Sequence, residues 1–265
     1  MSIAIVIPAR YASTRFPGKP MAKIAGVSML ERVYKQALKA ASGLDAEIVI
    51  ATEDQRVVDH AKTFGAPCVL TPDNCPTGSD RVLAAVKTMA KRPDFVLNMQ
   101  GDAPFTPPSI LRAVIETWQK DQTLSVVTPI VNLRWTELDI LRDNKKITPF
   151  SGTCCVTDAT GGAIWFSKNI IPAIRKENRD VEFSPVQQHI GLYGFRTDVL
   201  ERFVSLPEGR YEKLEGLEQL RLLENNIKVQ TVTVDVALGM AQAGIDSPED
   251  VQRAEEMLER YGEPA

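Results

Sequence analysis

The chain has 265 residues, 44% of them hydrophobic and 25% charged, with a formal net charge of -3. These values are those of an ordinary soluble globular protein, long enough for one large α/β domain or two small ones, and they exclude disordered and fibrous classes. The mildly acidic balance gives no overall attraction for nucleic acid or anionic membrane, so the expected partner is small.

Residues 3–7 are short, β-branched and stopped by Pro8. They read as a buried strand feeding a loop at its carboxyl end, where open α/β sheets bind ligands. The stretch Pro8-Ala9-Arg10-Tyr11-Ala12-Ser13-Thr14-Arg15-Phe16-Pro17-Gly18-Lys19-Pro20 follows. It holds Arg10, Arg15 and Lys19 beside backbone that can come close to an anion, which suits a polyphosphate. Neither G-x-x-x-x-G-K-[ST] nor G-x-G-x-x-G occurs here, and a solvated basic turn is the bland alternative. The amino terminus lacks the sections of a signal peptide, and no apolar run approaches the roughly 20 residues of a membrane helix. A cytoplasmic protein without membrane insertion is expected.

Helical spacing covers residues 28–41, with Ser28 as cap and Gly43 as stop; a strand over 47–52, a helix over 54–64 and a strand over 67–71 come next. That alternation predicts a parallel sheet covered by helices. Thr77-Gly78-Ser79-Asp80-Arg81 opens a further helix, and spacing alone favours capping over ligand binding. Residues 94–98 form a fourth strand running into Gln100-Gly101-Asp102-Ala103-Pro104. An acidic residue just after a buried strand can hold a cation at the sheet edge, with an Asx turn or cap as an even alternative.

A helix over 108–119, a strand over 124–131, and a polar helix and irregular loop over 132–153 are expected beyond. Cys68, Cys75, Cys154 and Cys155 form no metal or redox spacing and read as buried or half-buried thiols. Strands cover 162–168 and 189–195, the latter with His189 and Tyr193 on one face. With His60 the only other histidine, no two-histidine metal site can be built. Residues 172–182 read as a charged surface loop and 214–223 as an amphipathic helix whose acidic face would ordinarily be solvated. A strand over 228–234 follows. Ser247 and Asp250 make a capping box for a terminal helix, which leaves Asp246 without a structural reason.

The first loop closely resembles the PARYxSxRxPGKP signature of 3-deoxy-manno-octulosonate (Kdo) cytidylyltransferases, the CMP-Kdo synthetases. Other segments resemble motifs of the same family: Thr77 to Arg81 its [ST]G[ST][DE]R, Asn98 to Pro104 its NxQGDxP, and Gly162 to Lys168 its ALYFSR strand. His189 to Phe195 is similar to HLGIYGY, Leu217 to Arg221 matches LEQLR, and Gly244 to Asp250 is similar to GVDTPEDL. The chain departs from the family at Ala103, commonly glutamate, at Lys168, commonly arginine, and over 153–157, where a PxxVKVV-like strand is usual.

The resemblance implies one Rossmann-like α/β nucleotidyltransferase domain over 1–265, its mostly parallel twisted sheet flanked by helices. It also implies a homodimer, Mg2+ dependence, and transfer of CMP from CTP to the anomeric hydroxyl of Kdo for lipopolysaccharide synthesis. Carried over residue by residue, Pro8, Ala9, Arg10, Ala12, Ser13, Arg15, Lys19, Thr77, Ser79, Arg81 and Gln100 bind the nucleotide. Gln100, Lys168, His189, Tyr193, Glu218 and Gln219 face the sugar acid, with His189 a donor to its carboxylate or hydroxyls. Asp102 and Asp246 hold the metal, and Arg10, Lys19 and Asp102 form the catalytic set. The departures leave open another acceptor, such as 8-amino-Kdo, a neuraminate-like acid or a phosphonate. From a different class, a non-catalytic nucleotide-binding relative is the alternative.

Overall fold

The computed structural model describes residues 1–12, 16–236, 244–245 and 247–263. Strand β1 (Ile3–Pro8) leads through a 3-10 turn (Lys19–Met21) and a short hairpin, β2 (Lys23–Ile24) and β3 (Val27–Ser28), into α1 (Met29–Ala41). Ser28 caps α1 by accepting from the Glu31 amide at 3.3 Å, and Gly43, with φ 77, stands just past its end. The chain continues through β4 (Ala46–Thr52), α2 (Gln55–Thr63), β5 (Cys68–Leu70), α3 (Gly78–Val86), β6 (Phe95–Asn98) and α4 (Pro108–Lys120). These strands lie in the order β5-β4-β1-β6, all parallel, as the alternation of periods requires.

The second half comprises β7 (Val126–Arg134), α5 (Trp135–Ile147), β8 (Thr153–Thr157), β9 (Ala163–Ser167), β10 (Phe183–His189) and β11 (Tyr193–Arg196). Next come α6 (Thr197–Ser205), α7 (Arg210–Glu215), α8 (Leu220–Glu224), β12 (Val229–Thr233) and α9 (Pro248–Tyr261). The sheet extends as β6-β11-β7-β10-β8-β9 with antiparallel pairing at every step, and β12 adds to β7 in parallel. The helix-flanked α/β sheet expected from the sequence is present, with its parallel part concentrated in the first half. Antiparallel neighbours need only short connections, and β8 and β9 are joined by a turn that Asp158 holds by accepting from the Thr160 and Gly162 amides at 2.8 and 2.9 Å.

The β2–β3 hairpin, α6 and all of β10 but His189 lie outside the expected elements, and two of the expected elements take another form. The strand expected over 189–195 is two strands. His189 opposes Ile130 and Gly194 opposes Val127, so five steps along one chain match three along β7, and Ile190 to Leu192 bulge out between them. The helix expected over 214–223 is broken at Gly216, which adopts φ 61 and ends α7 before α8 begins.

Alternation along β1 builds two cores. Ile3, Ile5 and Ile7 pack with α1, α2 and α4 residues on one face, while Ala4 and Val6 pack with α3 and α6 residues on the other. Both faces are covered, which is why the strand reads as a continuous apolar run. Gly194 lets β11 fit beside the Phe95–Trp118 stack, because a Cβ there would lie 2.1 Å from the Phe95 ring.

Candidate active site

The ends of β1 and β6 meet at close quarters. A Cβ on Gly101 would stand 2.5 Å from the Pro8 carbonyl oxygen, so only glycine admits this approach. It brings Asp102 beside the first loop, where Lys19 Nζ lies 2.8 Å from Asp102 Oδ2. Gly18, at φ 73, caps the 3-10 turn that carries Lys19, and its amide donates to Tyr11 O at 3.0 Å, closing the loop onto itself. Arg10 donates to the Cys75 carbonyl, and Ala9 is buried with its amide on Ala51 O at 2.8 Å. Ser13, Arg15 and Asp246 lie outside the described residues. The amide of Ile245, however, donates to Asp102 O at 3.1 Å, which ties the chain just before position 246 to Asp102.

The amino end of α3 faces the same place. A Cβ on Gly78 would fall 3.7 Å from Pro8 Cγ and 3.8 Å from Gln100 Oε1. Spacing favours capping here, and Thr77 and Asp80 form a capping box, with the Thr77 amide donating to Asp80 Oδ2 at 3.0 Å. Ser79 donates to Glu218 Oε2 at 3.0 Å and lies 3.4 Å from Asn98 Nδ2. Arg81 is only 1% exposed, its guanidinium 2.5 Å from Thr71 Oγ1 and 3.1 Å from Glu53 Oε2. The side chain expected to contact a nucleotide is thus held between Thr71 and Glu53.

A cavity of about 440 Å³ opens from Asp102; Gln100, His189, Tyr193, Gln219 and Ala103 line it. His189 and Tyr193 do share a face, their ring centroids 5.3 Å apart, because the bulge between β10 and β11 folds them together. The Thr128 hydroxyl donates to Leu192 O at 2.7 Å and so must accept from His189 Nε2 at 2.8 Å. This network assigns the proton to Nε2 and, on the neutral ring, leaves Nδ1 an acceptor. Burial lowers His189 to about 3, so it stays neutral at working pH. Burial, reinforced by the Glu218 carboxylate, raises the Tyr193 hydroxyl well above its ordinary value and keeps it a donor.

Because α7 and α8 are separate, Gln219 lines the cavity while Glu218 turns to Ser79 at the head of α3. Burial raises Glu218, opposed by its hydrogen bonds to Thr77 and Ser79 and by Arg221. Lys168 is not among the lining residues. Its amide donates to Glu215 Oε2 at 2.7 Å and its carbonyl accepts from Lys145 Nζ at 2.6 Å. Thr128 and Glu53 carry no motif that marks them in the sequence. A buried threonine inside an apolar strand, and an acidic residue directly after β4, are the available signals.

The neutral His189 has a thermodynamic consequence. Its unfolded value near 6.5 lies above its folded value, so between roughly pH 3 and 6.5 the unfolded chain binds the extra proton and stability falls as pH falls. From pH 7.5 to 5.5 the wild-type protein is expected to lose about 1.4 kcal/mol more than His189→Gln, measured by urea unfolding. Equal losses would show that His189 is not held neutral.

A basic loop and an acidic residue at the carboxyl ends of parallel strands, facing a helix amino end and a polar cavity, define an α/β protein with a ligand site at its sheet edge. The chain matches the cytidylyltransferase family model over residues 4–229. It is 44% identical over 263 residues to 3-deoxy-manno-octulosonate cytidylyltransferase of Maricaulis maris, with 99% of each chain covered. The chain belongs to the 3-deoxy-manno-octulosonate cytidylyltransferase family. The protein of that name from Chlamydia trachomatis is 36% identical over 96% of this chain and 92% of its own. Among solved structures, a CMP:2-keto-3-deoxy-manno-octonic acid synthetase complexed with CTP matches with a TM-score of 0.83 at 30% identity, covering 98% of this chain and 99% of the other. Among the described residues no helix is long and apolar enough to cross a membrane.

Proposed function

We propose that this chain transfers CMP from CTP to the anomeric hydroxyl of Kdo and releases pyrophosphate, supplying activated Kdo for lipopolysaccharide synthesis. The observation that carries the reading is the Lys19–Asp102 pair at 2.8 Å, whose aspartate lines a cavity with His189, Tyr193 and Gln219. A cation for a leaving phosphate thus adjoins side chains that can read sugar hydroxyls. In the transfer, the anomeric oxygen bonds to the α-phosphorus, the bond to the pyrophosphate oxygen breaks, and the hydroxyl proton leaves to solvent. Arg10 and Lys19 offset the charge that builds on the leaving group. The Nδ1 of His189 accepts from one sugar hydroxyl and the Tyr193 hydroxyl donates to another group of the acceptor. None of the four cysteines is among the residues lining the cavity, which supports direct transfer over a thiolate intermediate.

Asp102, with 39% of its side chain exposed, and Asp246 would hold Mg2+. The donor chemistry fits, since this ion takes one or two carboxylates and fills its other positions with phosphate oxygens and water. When bound it supplies positive charge to the phosphate oxygens. A single domain over 1–265, a homodimer and a cytoplasmic location belong to the same reading.

The test is pyrophosphate release from CTP and Mg2+ with Kdo, 8-amino-Kdo, a neuraminate-like acid and a phosphonate as separate acceptors. Kdo is expected to give a kcat/KM at least about tenfold above the others, the scale on which one well-placed contact discriminates. Ala103 on the cavity wall favours the second reading, a related acid as acceptor, and a preference for one of the other three would establish it.

A further inference from the structure

The first loop is held from below by a carboxylate whose two oxygens do different work. Glu53 Oε1 accepts from the Tyr11 amide at 2.9 Å and lies 3.4 Å from the Ala12 amide, while Oε2 lies 3.1 Å from Arg81. Arg81 is itself buried against Thr71 at 2.5 Å, so the carboxylate is anchored to α3 and to the end of β5. A carboxylate at this depth is costly unless paired, and Arg81 supplies the pairing.

Tyr11 is pinned on three sides. Its amide meets Glu53, its carbonyl accepts from Gly18 at 3.0 Å, and the Arg56 guanidinium lies 3.5 Å over its ring. Arg10 precedes this pivot, and Lys19 follows the glycine hydrogen-bonded to it. The amides of Tyr11 and Ala12 face a carboxylate, so neither of these two is offered to an anion.

We propose that Glu53, anchored by Arg81, is a positioning residue for the nucleotide loop, fixing the backbone at Tyr11 so that Arg10 and Lys19 meet the phosphates of CTP. The proposal rests on the reading of this loop as the CTP site. It also gives Arg81 a role consistent with its burial, acting on the nucleotide through Glu53.

Glu53→Ala, Glu53→Gln and Arg81→Lys in the full chain test it, with kcat and both KM values read from pyrophosphate release. Amide exchange of a peptide covering residues 9–12 is followed with and without CTP. Losing the anchor is expected to raise the KM for CTP about tenfold in Glu53→Ala, the scale of one buried hydrogen bond, and to leave the KM for the sugar acid within about twofold. The Tyr11 amide should lose protection in that variant. Glu53→Gln, which keeps an oxygen for the amides, should recover most of the CTP affinity. If Glu53→Ala does not fold, Arg81→Lys must show the same CTP-selective rise at smaller size. An unchanged KM for CTP, or equal rises for both substrates, overturns the role of Glu53 while leaving the CTP site standing, provided CTP protects residues 9–12 in the wild-type protein. If CTP gives no such protection, the loop is not the nucleotide site and both readings fall.

Discussion

Asp102→Asn is expected to lower kcat for pyrophosphate release about 100- to 1000-fold, the loss typical of removing one preorganised electrostatic group. The substitution keeps the shape and removes the charge. An amide can neither balance Lys19, 2.8 Å away, nor serve as a carboxylate ligand to a divalent cation. The side chain is 39% exposed, so the change should leave the unfolding midpoint nearly where it was, and a folded but slow enzyme is the expected product. Raising Mg2+ should recover part of the rate if the metal affinity is what fell. Pyrophosphate release at the original rate in Asp102→Asn would remove this carboxylate from the chemistry.

Gly101→Ala is expected to damage both stability and turnover. The added Cβ would sit 2.5 Å from Pro8 O, 3.5 Å from Pro8 C and 3.6 Å from Ala9 Cα, all of them backbone atoms that cannot rotate aside. Relief requires the ends of β1 and β6 to move apart, and overpacking of this kind costs about 1–3 kcal/mol. The same movement separates Asp102 from Lys19 and Arg10, and misplacement by an ångström costs about 100-fold in rate. Urea unfolding and steady-state kinetics on one preparation check both effects. A variant with an unchanged midpoint and activity within twofold would mean that the two strand ends are not held together as described.

The two substitutions probe a site whose parts differ in how far local chemistry announced them. Asp102 stood out because a carboxylate after an apolar run is stranded at the end of a strand, and the basic loop because its cations are crowded among prolines and glycine. The segment from Thr77 to Arg81 was readable as a helix cap, and Thr77 and Asp80 form a capping box there. Glu53 directly follows β4, as Asp102 stands four residues past β6, yet Asp54 beside it caps α2 and hid it in a helix start.

Residues 3–7, 28–41 and 94–98 carry their fold in their own periodicity, since alternation or helical spacing decides which side chains can be buried together, and that much of the α/β framework was determined by the sequence itself. The tertiary structure decided which strand ends became neighbours. It placed β11 between β6 and β7, bulged the chain so that His189 meets Thr128 and Tyr193, and broke the helix at Gly216 so that Glu218 and Gln219 serve different surroundings. It also buried Arg81 against Glu53. The physical reason is that hydrogen-bond roles, proton positions and burial belong to pairs of groups distant along the chain, and local spacing carries no information about the partner until the sheet order is set.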